Sequence, residues 1–270
     1  MSVTWEENRA RQILDARRDR RQIACSDPNG LSMESAYRIS RRIRDLRREE
    51  GELVIGRKLG FTNRTIWSEY NVHAPIWGYM YDTTFRDVSS ASARCSLATF
   101  CEPRIEPEIA FGFSRAPRIG GSDDELLDSI GWFAHGFEIV DSLYKDWKFQ
   151  AADTAAAFGL HGAYLCGPRR HLTDEDPTML RSALQTFQIE LACDGTTIDV
   201  GCGANVLDSP LSALRHAIKV IANDPDADPI SADEVVTTGT VTRAFPVKQG
   251  QTWSTTVRGL ALDGLQITFD

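Results

Sequence analysis

The chain has 270 residues, 42% hydrophobic and 25% charged, which is the composition of a soluble globular protein long enough to bury a core without disulfides. A net charge of −8 argues against wholesale nucleic-acid binding, and no stretch reaches the roughly 18–20 apolar residues of a membrane span. The N-terminal segment is polar and carries no apolar run of the secretory type, so a cytoplasmic protein is expected.

The first 50 residues read as helical. Residues 5–24 are mixed in charge, with Ile13, Leu14 and Ile23 as sparse apolar points. Ser32 is placed to cap a second helix, in which Ala36, Ile39, Ile43 and Leu46 recur on one face. Arg38, Arg41, Arg42, Arg44, Arg47 and Arg48 line the rest, interleaved with Asp45, Glu49 and Glu50. That pattern reads as a solvated helix face in preference to an anion patch. From residue 52 short strands and turns take over. Leu53-Val54-Ile55-Gly56 is a strand-like run ending in glycine, and residues 104–113 form another strand. Residues 123–131 read as an acid-capped helix and 132–141 as a buried strand. Residues 186–199 read as a hairpin turning at Asp194-Gly195. Pro210 opens a helix through Ile221, residues 223–230 form a loop, and 235–241 and 252–257 are β-branched strands. The expected architecture is α+β: a helical N-terminal segment over residues 1–52 and a mixed, β-rich catalytic domain over 53–270. Cys25, Cys95, Cys101, Cys166, Cys193 and Cys202 show no C-x-x-C or zinc spacing and read as reduced thiols, with a Cys95–Cys101 disulfide less favoured.

The most informative segment is Glu102-Pro103-Arg104-Ile105-Glu106-Pro107-Glu108-Ile109-Ala110-Phe111. Alternate side chains of a strand share a face, so Glu106 and Glu108 point one way and Ile105, Ile109 and Phe111 the other. Two carboxylates a pleat apart beside a buried face repel each other and are costly to desolvate. A hard divalent cation such as Mg²⁺ or Mn²⁺ resolves both problems. A solvent-facing edge strand is the competing reading, and Pro107 suits an edge. A third ligand is sought in His135-Gly136-Phe137-Glu138-Ile139-Val140-Asp141-Ser142, where Glu138 stands inside an apolar run. Asp141 is the alternative, on the opposite face of an ideal strand or beyond its end.

Here the residues resemble a family. Gly56-Arg57-Lys58-Leu59-Gly60-Phe61-Thr62, Pro75-Ile76-Trp77-Gly78, Glu106-Pro107-Glu108-Ile109-Ala110, Phe137-Glu138-Ile139-Val140-Asp141-Ser142 and the tail motifs Gly203-Ala204-Asn205-Val206-Leu207 and Thr238-Gly239-Thr240 look like the hydratase/decarboxylase branch of the fumarylacetoacetate hydrolase superfamily, in order from about residue 30 onward. The resemblance implies a barrel-like β-roll with a helical N-terminal part. It implies a Mg²⁺ or Mn²⁺ site of Glu106, Glu108 and Glu138, and a small 2-oxo acid as substrate. It implies a homo-oligomer, with a sister hydratase or decarboxylase as a further partner. Lys58 matches the family's active-site lysine, a general acid/base or fixed cation. Thr62, Asn63 and Trp77 fall in motifs that would contact the substrate.

Two departures qualify the resemblance. Hydratases of the family carry Pro-Asp-Phe-Gly where this chain has Pro75-Ile76-Trp77-Gly78, and Ile76 cannot activate water. The decarboxylases match better, including a following aspartate that corresponds to Asp82. Both branches usually show Asp-Asn-x-Ser where this chain has Ala157-Phe158-Gly159-Leu160-His161. His161 is then a candidate proton shuttle, against the reading of a satisfied core histidine; His73 and His135 read as structural. The implied activity is a metal-dependent lyase, decarboxylase or hydratase, acting on a 2-oxo-alkenoate. A C–C hydrolase of the acylpyruvate or fumarylacetoacetate type and a non-catalytic partner subunit are the alternatives.

Overall fold

The computed structural model describes residues 4–26, 30–88 and 92–270. Helix α1 (Trp5–Arg18) is capped by Thr4, whose hydroxyl accepts from the Glu7 amide, and ends at Arg18, short of the expected residue 24. Helix α2 (Met33–Glu49) starts on Ser32, which accepts from the Ser35 amide, and buries Ala36, Ile39, Ile43 and Leu46 as its periodicity requires. Its arginines are neutralised within the fold: Arg38, Arg41, Arg42, Arg44 and Arg47 are each ion-paired to carboxylates, Arg41 reaching Asp224 across the 223–230 loop. The face is a web of ion pairs and not an anion patch.

The strands are β1 (Val54–Gly60), β2 (Ile76–Tyr81), β3 (Phe85–Asp87), β4 (Ala93–Cys95), β5 (Pro103–Phe113), β6 (Ile130–Asp141), β7 (His161–Cys166), β8 (Arg170–His171), β9 (Gln188–Cys193), β10 (Thr196–Cys202), β11 (Val235–Thr240), β12 (Phe245–Pro246), β13 (Thr252–Arg258) and β14 (Gln266–Phe269). Five shorter helices join them: α3 (Trp67–Tyr70), α4 (Asp123–Ser129), α5 (Ala151–Ala156), α6 (Pro177–Thr186) and α7 (Pro210–Ala222). The main sheet runs β2-β1-β11-β5-β6-β7-β3, with β12 on β5 and β8 on β6; the second runs β10-β9-β13-β14-β4. The sheet curls, because Met80 of β2 packs with Tyr164 of β7, near the other end of that order. The run expected to end at Gly56 continues to Gly60, since β1 is held between β2 and β11 along its length.

Burial follows from the curl. The outer face of the main sheet packs Leu59, Trp77, Ile109 and Phe111 against α4, α6 and α7. Elsewhere Ile105, Phe137, Ile139 and Leu165 meet Leu191, Trp253 and Ile267 of the second sheet. Helices α1 and α2 close one side, packing on Phe61, Ile66, Ile76 and α5. All three contacts leave the inner face of the sheet enclosed, and the functional side chains stand on that face. The six cysteines are free thiols, Cys95 and Cys101 included. Among the described residues no helix is long and apolar enough to cross a membrane.

Candidate metal centre

The pairing of β5 with β6 builds the site. Glu106 lies opposite Glu138, and Glu108 opposite Gly136. Paired residues of antiparallel strands share a face, so the three glutamates converge. One carboxylate oxygen from each lies within 4.8 Å of the others. Glu108 and Glu138 are fully buried. Glu138, not Asp141, completes the cluster. Asp141 Oδ1 accepts the amides of Cys101 and Glu102, each at 2.9 Å, and so pins the start of β5.

Two of the three carboxylates, Glu108 and Glu138, are held by neighbouring groups. Glu108 Oε2 accepts the Gly239 amide at 3.0 Å. That amide is aimed by the irregular register between Thr237 and Thr240 on β11. Gly239 has φ +91°, and a Cβ there would fall 1.9 Å from the Thr62 hydroxyl, so only glycine fits. Glu138 Oε1 meets His161 Nδ1 at 2.8 Å, while His161 Nε2 meets the Thr84 hydroxyl at 2.9 Å. The Lys58 ammonium lies 3.2 Å from Glu138 Oε2 as an ion pair and donates to the Gly159 carbonyl at 3.0 Å. A left-handed turn presents that carbonyl, with Phe158, Gly159 and Leu160 all at positive φ. Two non-glycine residues in that region cost about 1–2 kcal/mol each.

Glu108 Oε1 is buried and accepts no hydrogen bond, while Glu138 Oε2, equally buried, faces the Lys58 ammonium as an ion pair. Burial raises Glu106 to about 7 and Glu108 well above the usual carboxylate range, with Glu138 adding repulsion to both. Burial also opposes the charge on Glu138, but Lys58 and His161 outweigh it and hold this carboxyl low. Burial likewise opposes the Lys58 charge, and the three glutamates more than compensate, raising it. Burial lowers His161, against the pull of Glu138. Fully ionised, three carboxylates and one ammonium would carry two net negative charges, and Glu108 Oε1 stands without a partner. This donor set fits a hard divalent cation.

The cavity beside the cluster is lined by Lys58, Glu106, Thr62 and Asn63, and by a wall of Phe61, Ile76, Val140, Trp147 and Leu160. Of the residues expected to contact substrate, Thr62 and Asn63 are therefore present. The Thr62 hydroxyl donates to the Thr238 carbonyl at 2.8 Å, and one Asn63 N–H faces the Thr242 carbonyl at 3.4 Å. Asn63 keeps a second N–H for a ligand. Trp77 is not brought to the site. Strand alternation turns it to the outer face, stacked on Tyr37 at 5.0 Å, and its neighbour Ile76 lines the cavity instead. Asp82 is not brought there either. It is exposed, and its carboxylate accepts the Leu53 and Thr83 amides, each at 3.0 Å, at the turn after β2. His161 holds Glu138 but is absent from the cavity wall. Thr84, Gly159 and Tyr164 were not singled out by sequence; only the register of β7 against β6, which sets Tyr164 opposite Glu138, brings Tyr164 in.

His135 is structural, as expected: its ring bridges the Glu108 carbonyl at 3.1 Å and the Thr255 hydroxyl at 2.8 Å, linking the two sheets. Burial lowers it to about 4. The unfolded chain therefore takes up this proton near pH 6.5 while the folded chain refuses it. Stability is complete above pH 6.5 and falls as the pH drops toward 4, by up to about 3 kcal/mol. Denaturation in urea at pH 8 and pH 4.5 checks this: His135→Gln should lose less stability than wild type over that interval.

The curled sheet with its inward carboxylate triad defines the fold class. The solved structure of 4-oxalocrotonate decarboxylase from Pseudomonas putida G7, complexed with magnesium and adipate, superposes with a TM-score of 0.87 over 100% of this chain and 99% of that one, at 22% identity. No family model matches the chain. In sequence it is 30% identical to 2-hydroxyhexa-2,4-dienoate hydratase of Comamonas testosteroni over 268 residues, 97% of each protein. It is 27% identical to 4-oxalocrotonate decarboxylase of Pseudomonas putida over 233 residues, covering 85% of this chain and 83% of the relative. The chain belongs to the family of these 2-hydroxydienoate hydratases and 4-oxalocrotonate decarboxylases.

Proposed function

We propose that this protein is a divalent-metal-dependent lyase that decarboxylates a small 2-oxo-alkenedioate. The cavity wall carries the reading. Apart from Lys58 and Glu106 no charged side chain lines it, and Ile76, Val140, Leu160 and Trp147 make its body. Hydration requires a group that activates water, and the position where the family's hydratases carry an aspartate is Ile76. Loss of CO₂ requires no such group. An apolar wall disfavours a carboxylate that is to leave as a neutral molecule, which brings the ground state closer to the transition state.

Glu106, Glu108 and Glu138 would hold Mg²⁺ or Mn²⁺, which would supply Lewis-acid stabilisation of charge developing at the 2-oxo group. Lys58 keeps a positive charge and a transferable proton at Nζ beside the same space. Asn63, with Thr62 behind it, orients the C1 carboxylate. His161 sets its Nδ1 against Glu138, whose carboxylate accepts, and its Nε2 against the Thr84 hydroxyl, and acts as a positioning residue. The enzyme works as a homo-oligomer, as the family resemblance implies, and in the cytoplasm, as its polar N-terminal segment and scattered cysteines suggest.

Incubation of the Mg²⁺- or Mn²⁺-loaded protein with 2-oxohex-3-enedioate, 2-hydroxypenta-2,4-dienoate and an acylpyruvate tests the reading. Release of CO₂ from the first is expected. Hydration of the dienoate without decarboxylation would assign the chain to the hydratases, a reading favoured by its 30% identity to one of them. Cleavage of the acylpyruvate would make it a C–C hydrolase. Turnover of none would leave the partner-subunit role, against which the retained Lys58 and glutamate triad argue.

A further inference from the structure

Tyr164 stands on β7 opposite Glu138, and its ring runs along the inner face toward Gly136. A Cβ on Gly136 would fall 2.4 Å from the Tyr164 hydroxyl oxygen, so the glycine exists to let the phenol pass. Gly136 is the residue opposite Glu108. The phenol therefore ends on the carboxylate side of the sheet, beside Glu108. It is fully buried, among Met80, Ala110, Ala134, Cys166 and Val235.

Every neighbour in that set is apolar or weakly polar, and a phenylalanine would fill the space. The hydroxyl nevertheless has no hydrogen-bond partner, and neither has Glu108 Oε1. A buried donor and a buried acceptor, both unused, cost about 1–3 kcal/mol apiece and call for a reason. Burial first, then Cys166, Glu108 and Glu138, raise the phenol, so that it keeps a proton to donate.

We propose that Tyr164 is a positioning residue for the metal centre: once the cation is bound, its hydroxyl donates to Glu108 Oε1, directly or through one trapped water, and fixes this carboxylate as a ligand. The inference rests on the metal-centre reading above and adds a residue to it. Outer hydrogen bonds of this kind are worth 10–100-fold in metal affinity. Gly136 and Tyr164 then form a functional pair, the first clearing the path of the second.

The test is Mn²⁺ binding, by calorimetry and by the electron paramagnetic resonance of the bound ion, to wild type and Tyr164→Phe, with thermal melting of both metal-free proteins. The expected result is Mn²⁺ affinity at least tenfold weaker in Y164F, with a changed bound-ion spectrum and a metal-free melting temperature equal to wild type or higher. Affinity within twofold of wild type overturns the proposal. So does a metal-free Y164F that melts lower than wild type, because the hydroxyl would then have a partner without the cation. If wild type itself binds no Mn²⁺, this inference falls together with the metal reading; an unchanged Y164F beside a wild type that binds removes this inference alone.

Discussion

Glu108→Gln is expected to weaken Mn²⁺ binding at least about 100-fold, equal to about 2.7 kcal/mol, while making the metal-free protein more stable. Glu108 is fully buried, its Oε1 is unused, and two further carboxylates lie within 4.8 Å. A glutamine keeps an oxygen to accept the Gly239 amide but removes the charge that a hard cation requires. Without the cation that same charge is a liability. Burial, with Glu138 and Glu106 repelling it, holds the Glu108 carboxyl well above 4.5. A carboxyl raised in the folded state contributes its stability at low pH, and that contribution is lost as the pH climbs from 4.5 through the folded value. Wild type without metal should therefore lose stability over that range and E108Q should lose less, so the advantage of the variant grows with pH. Calorimetric titration with Mn²⁺ and urea denaturation at pH 5 and pH 8 measure the two halves. Unchanged Mn²⁺ affinity would remove Glu108 from the ligand set.

Lys58→Met is expected to abolish turnover and to destabilise the metal-free protein by about 3–5 kcal/mol, the range for breaking a buried ion pair from one side. The ammonium is 2% exposed and lies 3.2 Å from Glu138 Oε2. Its removal leaves Glu138 buried beside two further carboxylates, with His161 as its remaining hydrogen-bond partner. The loss is twofold in kind: the Gly159 carbonyl, offered by a left-handed turn, also loses its donor. Saturating Mn²⁺ replaces the missing positive charge and should restore most of the stability, but not the proton at Nζ. Stability recovered by metal with kcat still depressed by at least about 1000-fold identifies Lys58 as catalytic. Full activity in K58M would exclude it.

Much of the site was legible before the fold was known, because strand alternation is a local rule. Glu106 and Glu108 share a face by spacing alone, and Ile105, Ile109 and Phe111 were bound to take the other. Capping chemistry likewise located α2 at Ser32 and α7 at Pro210. Alternation also had the means to dismiss Trp77, since a strand that turns Ile76 inward must turn Trp77 outward. The motif match masked that inference. Asp82 failed for a different reason: a short turn consumes its carboxylate, and a turn's hydrogen bonds are invisible in a pattern of residue types.

The sequence by itself determined the two-glutamate face, the family motifs, the helical start and the apolar departure at Ile76. Only the tertiary structure decided between Glu138 and Asp141, because that choice depends on the register of β6 against β5, which sets Glu138 opposite Glu106 while Asp141 is claimed by two backbone amides. It also decided that His161 bonds Glu138 and stays out of the cavity wall, and that Tyr164 reaches past Gly136 toward Glu108. Those contacts join residues from 23 to 56 positions apart, and no local periodicity carries them. They exist because the sheet curls, and the curl is set by the packing of helices and a second sheet on its outer face.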